Sequence, residues 1–247
     1  AKAALEAGLV DRLGDRTQWG ERVAKLAGED SWSSLPGAFA ATSLAQYLAD
    51  TTPSASGKPI GIITVAGEVV DGEAGPGTAG GDRIAALLDE ALDDDLAALV
   101  VRIDTPGGSV TASEQIRRAV LRHQANGIPI AVSMANVAAS AGYSIASAGD
   151  RIFAQPETIT GSIGVFAVIP TFEATAARFG ITSDGVRTTP LSGQPDIIGG
   201  FTPEVDAILQ ASVEDSYADF LGHVGKARKI TPAALDRIAQ GRVWDGG

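Results

Sequence analysis

The stretch Leu96-Ala-Ala-Leu-Val-Val-Arg-Ile-Asp-Thr-Pro-Gly-Gly-Ser109 decides the fold class. Its first half is apolar apart from Arg102 and shows no alternation, as expected of a strand covered on both faces of a parallel sheet. Pro106-Gly107-Gly108 ends that strand. Thr111-Ala-Ser-Glu114 follows with the form of a capping box, predicting a helix to about Gln124, stopped by Gly127. Residues 128–134 read as the next strand, and a helix of small residues opens at about Ser140. Strands and helices alternating at these lengths predict an α/β fold with a parallel sheet and helices outside it.

The same alternation extends outward. Residues 59–70 are β-branched and apolar and read as a strand, and the glycine-rich residues 71–81 as a mobile loop. Residues 82–92 carry Ile84, Leu87, Leu88 and Leu92 at helical spacing. Short strands are predicted at 151–154 and 163–169, and a helix at 172–179, stopped by Gly180. A long helix is predicted from Pro203 to about Val224. A last one has Thr231 as N-cap, Pro232 at its first position and Gly241 past its end. Residues 1–50 read as helical and alanine-rich, and 51–58 as a polar linker, so the organisation expected is a helical segment followed by one domain over 56–247.

Composition excludes several chemistries. The 247 residues carry a formal charge of -11, which argues against nucleic acid as a partner and leaves no polybasic stripe for anionic lipid. There is no cysteine, which removes disulfides, thiolate metal sites and cysteine nucleophiles. The two histidines, His123 and His223, form no metal-binding pair, so a zinc hydrolase is not expected, and no cofactor is. No run of about 18 apolar residues occurs, so a membrane anchor is expected to lie outside this segment.

Three segments can carry chemistry. Val137-Ala-Ala-Ser140-Ala-Gly142-Tyr143 places a hydroxyl where a buried strand meets a helix of small residues. There it sits beside free N–H groups and the positive end of the helix dipole, an arrangement suited to an acyl-transfer nucleophile. The same serine also reads as a plain helix cap. Asp104-Thr-Pro106-Gly107-Gly108-Ser109 can turn one or two N–H groups toward a carbonyl as an oxyanion hole, or be an ordinary glycine turn. In Thr158-Ile-Thr-Gly161-Ser162-Ile-Gly164, the Ser162 hydroxyl can hold a catalytic amine or satisfy local backbone. No base for Ser140 is evident. His123 and His223 both read as surface residues. The five lysines, Lys2, Lys25, Lys58, Lys226 and Lys229, all lie in polar or amphipathic stretches, whereas a lysine base must be buried and neutral.

Residues 104–114, 134–143, 160–165 and 241–246 together resemble the signal peptide peptidase A family, in its long, two-repeat form. The resemblance runs from about residue 56 to the end. It implies a Clp-protease/crotonase-type β-β-α superhelix. It matches Ser140 to the nucleophile of a Ser/Lys dyad, Gly108 to the oxyanion-hole glycine and Ser162 to the serine that orients the lysine. In single-repeat members the lysine slot would fall near Ser192, where this chain has none. In two-repeat members the lysine comes from the N-terminal repeat, so the base is expected outside this segment, and residues 1–50 would be the tail of the preceding repeat and the connection to this one. Ala141 stands where many members have glycine.

The resemblance further implies cleavage of signal peptides and other short or unfolded peptides. It places the protein at the bacterial inner membrane, its catalytic part facing the periplasm, and assembles it as a homo-oligomer, with a tetramer expected. Two other readings compete: a crotonase-like acyl-CoA enzyme on the same fold, and a non-catalytic repeat that builds an oligomer.

Overall fold

The computed structural model describes residues 1–52 and 56–247, in two compact units, Ala1–Gly57 and Lys58–Gly247. Part of the linker expected over 51–58 lies outside the described residues. The first unit holds α1 (Lys2–Glu6), α2 (Arg16–Ala27) and α3 (Leu44–Thr51). Asp15 and Gln18 close a capping box on α2, and the Ser43 hydroxyl accepts from Gln46 N–H to start α3.

The second unit is α/β. In chain order it contains β1 (Ile60–Ala66), β2 (Val69–Val70), β3 (Ala79–Gly80), α4 (Gly81–Glu90), β4 (Ala98–Thr105), α5 (Val110–Ala125), β5 (Ile130–Ala139) and α6 (Ala141–Ala146). Then follow β6 (Arg151–Phe153), β7 (Ile159–Gly161), α7 (Glu173–Arg178), α8 (Pro203–Arg228), α9 (Pro232–Asp236) and β8 (Val243–Trp244). The main sheet runs β1-β4-β5-β7-β8, with β6 also on β5, and every pairing but β7–β8 is parallel. Leu99, Val101 and Ile103 of β4 and Ile130 and Val132 of β5 are buried. They pack with Ile84 and Leu88 of α4 and with Ile116 and Val120 of α5 in one core. A smaller cluster joins Ile163, Phe220, Val224 and Leu235.

Several local expectations are corrected. The N-cap of α5 is Ser109, whose Oγ accepts from Ala112 N–H at 3.1 Å and donates to Asp71 at 2.6 Å. Thr111 is already inside the helix, so the expected capping box does not form. The strand β5 continues to Ala139, five residues beyond the expected end. Its added residues pair with β7 after a register shift, and the Asp104 carboxylate accepts from Val137 N–H at 3.2 Å. No strand forms over 163–169, where Phe166 and Val168 stay 85% and 80% exposed. The ladder is carried instead by 159–161, where the Thr160 hydroxyl also donates to the Ala138 carbonyl at 2.8 Å. The glycine-rich segment 71–81 ends in β3, paired with β2, and Arg83 holds its Ala74 and Thr78 carbonyls.

His123 is not a surface residue. It is fully buried, with Nε2 2.7 Å from the Leu88 carbonyl. Leu88 lies in the last turn of α4, where carbonyls lack helical partners, so the imidazole fills a need that periodicity alone does not reveal.

Candidate active site

Ser140 stands between β5 and α6, and its local structure is set from both sides. On the strand side, Ala139 pairs with Gly161 of β7, and Ser140 N–H donates to the Gly161 carbonyl at 2.9 Å. On the helix side, the Ser140 carbonyl accepts from Ser144 N–H at 3.0 Å. Between these constraints the residue takes φ 52 and ψ -120, a left-handed conformation that costs a non-glycine residue about 1–3 kcal/mol. Such a corner lifts the side chain out of both elements. Ser140 does not cap α6 through its hydroxyl, which removes the plain-cap reading.

The glycine turn after β4 closes on this corner. A Cβ placed on Gly107 would lie 2.7 Å from Ser140 Cβ and 3.1 Å from its Oγ, so only glycine allows this approach. Gly108, at φ 143, is pressed against β2, where a Cβ would meet the Val69 carbonyl oxygen at 2.1 Å. Val69 N–H donates to the Gly107 carbonyl and Ser109 N–H to the Val69 carbonyl, so both flanking peptides are held. Among the described residues Gly108 N–H has no acceptor. The first N–H groups of α6, beginning at Ala141, are likewise free of helical bonds.

Ser162 lies one residue beyond Gly161, at φ 50, with its N–H donating to the Arg242 carbonyl at 2.7 Å. The pairing of β7 with β5 therefore brings Ser162 to the same sheet end as Ser140. Its hydroxyl has no partner among the described residues.

A cavity of about 470 Å³ opens beside Ser140, and Gly108 and Ala141 also line it. Its far wall is α8, whose side chains belong to none of the sequence motifs. His223 lines this cavity and is not an ordinary surface residue. Its Nε2 lies 3.0 Å from Ser144 Oγ and its ring stacks on Phe220. Burial, and next the Arg117 guanidinium, hold its imidazole below the usual histidine range. With Nε2 engaged by Ser144, one turn past Ser140, this imidazole is not placed as the base of Ser140. The α8 helix reads as weakly patterned in sequence, and only its packing reveals which face lines the cavity.

All five lysines are exposed. Lys58 pairs with Asp95 at 2.6 Å, and Lys226 reaches the cavity wall. The stretch around Ser192 is made of turns and carries hydroxyl–hydroxyl contacts with Thr188 and Thr189. No group of acidic and histidine side chains among the described residues could hold a metal ion.

Comparison with known proteins identifies the family. Residues 122–247, just over half of the chain, match the family described as Peptidase family S49. Protease 4 of Salmonella typhi is 41% identical over all 247 residues, which cover 39% of its length. Protease 4 of Haemophilus influenzae is 42% identical over 191 residues, 76% of this chain and 30% of that protein. The chloroplastic serine protease SPPA of Arabidopsis thaliana is 31% identical over 153 residues, 60% of this chain and 22% of that protein. The chain thus spans well under half the length of each. The chain belongs to Peptidase family S49, the signal peptide peptidase A family, and has its ClpP/crotonase-like α/β fold.

Proposed function

We propose that this chain is the serine-bearing part of a serine endopeptidase of Ser/Lys dyad type. The observation that carries the reading is the left-handed Ser140 at a strand–helix corner, faced by Gly107 and by the free N–H groups that open α6. In this reading Ser140 Oγ attacks the scissile carbonyl while its proton passes to a neutral lysine amine. Gly108 N–H and Ala141 N–H stabilise the oxyanion. The amine protonates the leaving nitrogen, and water then releases the acyl group by the same route. The Ser162 hydroxyl orients the amine. Because every lysine here is exposed, the amine comes from polypeptide beyond these 247 residues. Residues 1–50 are then the tail of a preceding repeat and its connection.

Cleaved signal peptides and other short or unfolded peptides are the proposed substrates. The relatives, named as proteases in three organisms, support peptide hydrolysis in general. The proposed setting is the periplasmic face of the bacterial inner membrane, in a homo-oligomer such as a tetramer. No described helix is long and apolar enough to cross a membrane, so the anchor would lie elsewhere in the protein.

The exposure of all five lysines also suits a second reading, a repeat that builds an oligomer and does no chemistry. Peptide cleavage by the full-length protein separates the two. Ser140→Ala is expected to lower kcat by at least about a thousandfold. Unchanged turnover in that variant would support the scaffold.

A further inference from the structure

The cavity beside Ser140 has a mixed apolar and charged lining. Its apolar walls are Val110, Ala141, Val165 and Phe220. Arg117 lies two turns along α5 from Val110, about 10 Å by helical rise. Its charged lining comes from Glu114, Arg117 and Arg118 of α5 and Asp219 and Lys226 of α8. Three cations face two carboxylates there, in a chain whose net charge is -11.

The carboxylate of Glu114 is already engaged. It accepts from Arg117 Nε at 2.6 Å and Nη2 at 2.9 Å, and from Arg118 Nε at 2.6 Å. Burial alone would raise its carboxyl, but these bonds outweigh burial and hold it below the usual range. The Arg117 side chain is only 15% exposed, so Glu114 fixes a largely enclosed guanidinium in place. Among the described residues, Arg117 Nη1, both Nη atoms of Arg118 and Lys226 Nζ have no hydrogen-bond partner. Across the cavity, burial first and then the Arg117 guanidinium lower the His223 imidazole, while Glu114 and Asp219 act in the opposite direction. Apolar walls beside unspent cationic donors suit a carboxylate carried on an apolar stem.

We propose that this cavity is a peptide subsite selective for a carboxylate, held by Arg117, Arg118 and Lys226. The inference rests on reading Ser140 as the centre of a peptide-binding site. The carboxylate can come from a glutamate side chain or from the C-terminus of a short peptide. Lysine and arginine side chains meet like charge and are disfavoured.

Binding tests this without turnover. Full-length protein carrying Ser140→Ala is titrated against dye-labelled Ala/Leu peptides, read by fluorescence anisotropy. One peptide set bears a single Glu, scanned along the sequence, with an amidated C-terminus. A second set has Gln instead, also amidated, and a third has Gln with a free C-terminal acid. A charged contact predicts that one carboxylate peptide binds about tenfold tighter than its neutral match. The amidated Glu set gaining identifies a side-chain source, and the free-acid set gaining identifies the chain terminus. The gain should vanish in Arg118→Gln/Lys226→Gln, which leaves the enclosed Arg117–Glu114 pair intact. Equal affinity of all sets, absence of binding by any, or a gain that survives the double variant overturns the proposal. Failure of the Ser140 reading would show separately, as unchanged peptide turnover in Ser140→Ala.

Discussion

At the scale of the residue, Ser140 joins strain and chemistry. A left-handed serine persists only where its surroundings enforce it, here through Gly161 on one side and Ser144 on the other. Ser140→Gly should therefore raise unfolding free energy by about 1 kcal/mol over Ser140→Ala, in denaturant titrations, because glycine adopts this conformation without penalty. Equal stability of the two variants would mean that the corner is unstrained. His223 offers a second test. Its folded-state affinity for a proton is depressed, by burial first, so the unfolded chain binds the proton more readily. The stability it contributes is complete above the ordinary value near 6.5 and is lost as pH falls through its lower folded value. His223→Gln should flatten the fall in stability on acidification across that window. An identical pH profile in the variant would contradict this assignment.

At the scale of the element, what sequence revealed and what it hid follow from different physics. Continuous apolar runs and glycine breaks made β4, α5 and the start of β5 legible, because parallel strands buried on both faces leave that signature. The extension of β5 to Ala139 was hidden, since its stabilisation comes from a distant partner in β7 and from the Asp104 carboxylate. Residues 163–169 looked like a strand by composition, yet no neighbour offers them a ladder. The cap of α5 was misplaced by two residues because the Thr111–Glu114 pattern imitates a capping box, while Ser109 makes the bond. Ser109→Ala should cost about 1 kcal/mol of stability, and Thr111→Ala much less, in paired thermal or urea unfolding. A larger loss from Thr111→Ala would restore the capping box. In the candidate site, Ser140, Gly108 and Ser162 were legible as motif residues. The contribution of α8 was not, because which of its faces lines the cavity is decided by packing against elements distant in sequence.

At the scale of the whole molecule, the second unit supplies the Ser140 corner and free N–H groups, but its own lysines all face solvent. The 247-residue chain by itself should accordingly show little cleavage of a peptide ester, and the full-length protein should be active. Strong cleavage by the isolated chain, lost in Ser140→Ala, would place the base within these residues. A lysine base acts only when deprotonated, so kcat/KM of the full-length protein should rise from acid toward neutral and alkaline pH. An acidic optimum would argue against an amine.

Every proposed step depends on Ser140 as the nucleophile. The most direct test is to treat the full-length protein with a fluorophosphonate and map the adduct by mass spectrometry. The account predicts one adduct, on Ser140, formed in step with loss of peptide cleavage. Inactivation with the adduct on another residue and Ser140 unmodified would contradict it.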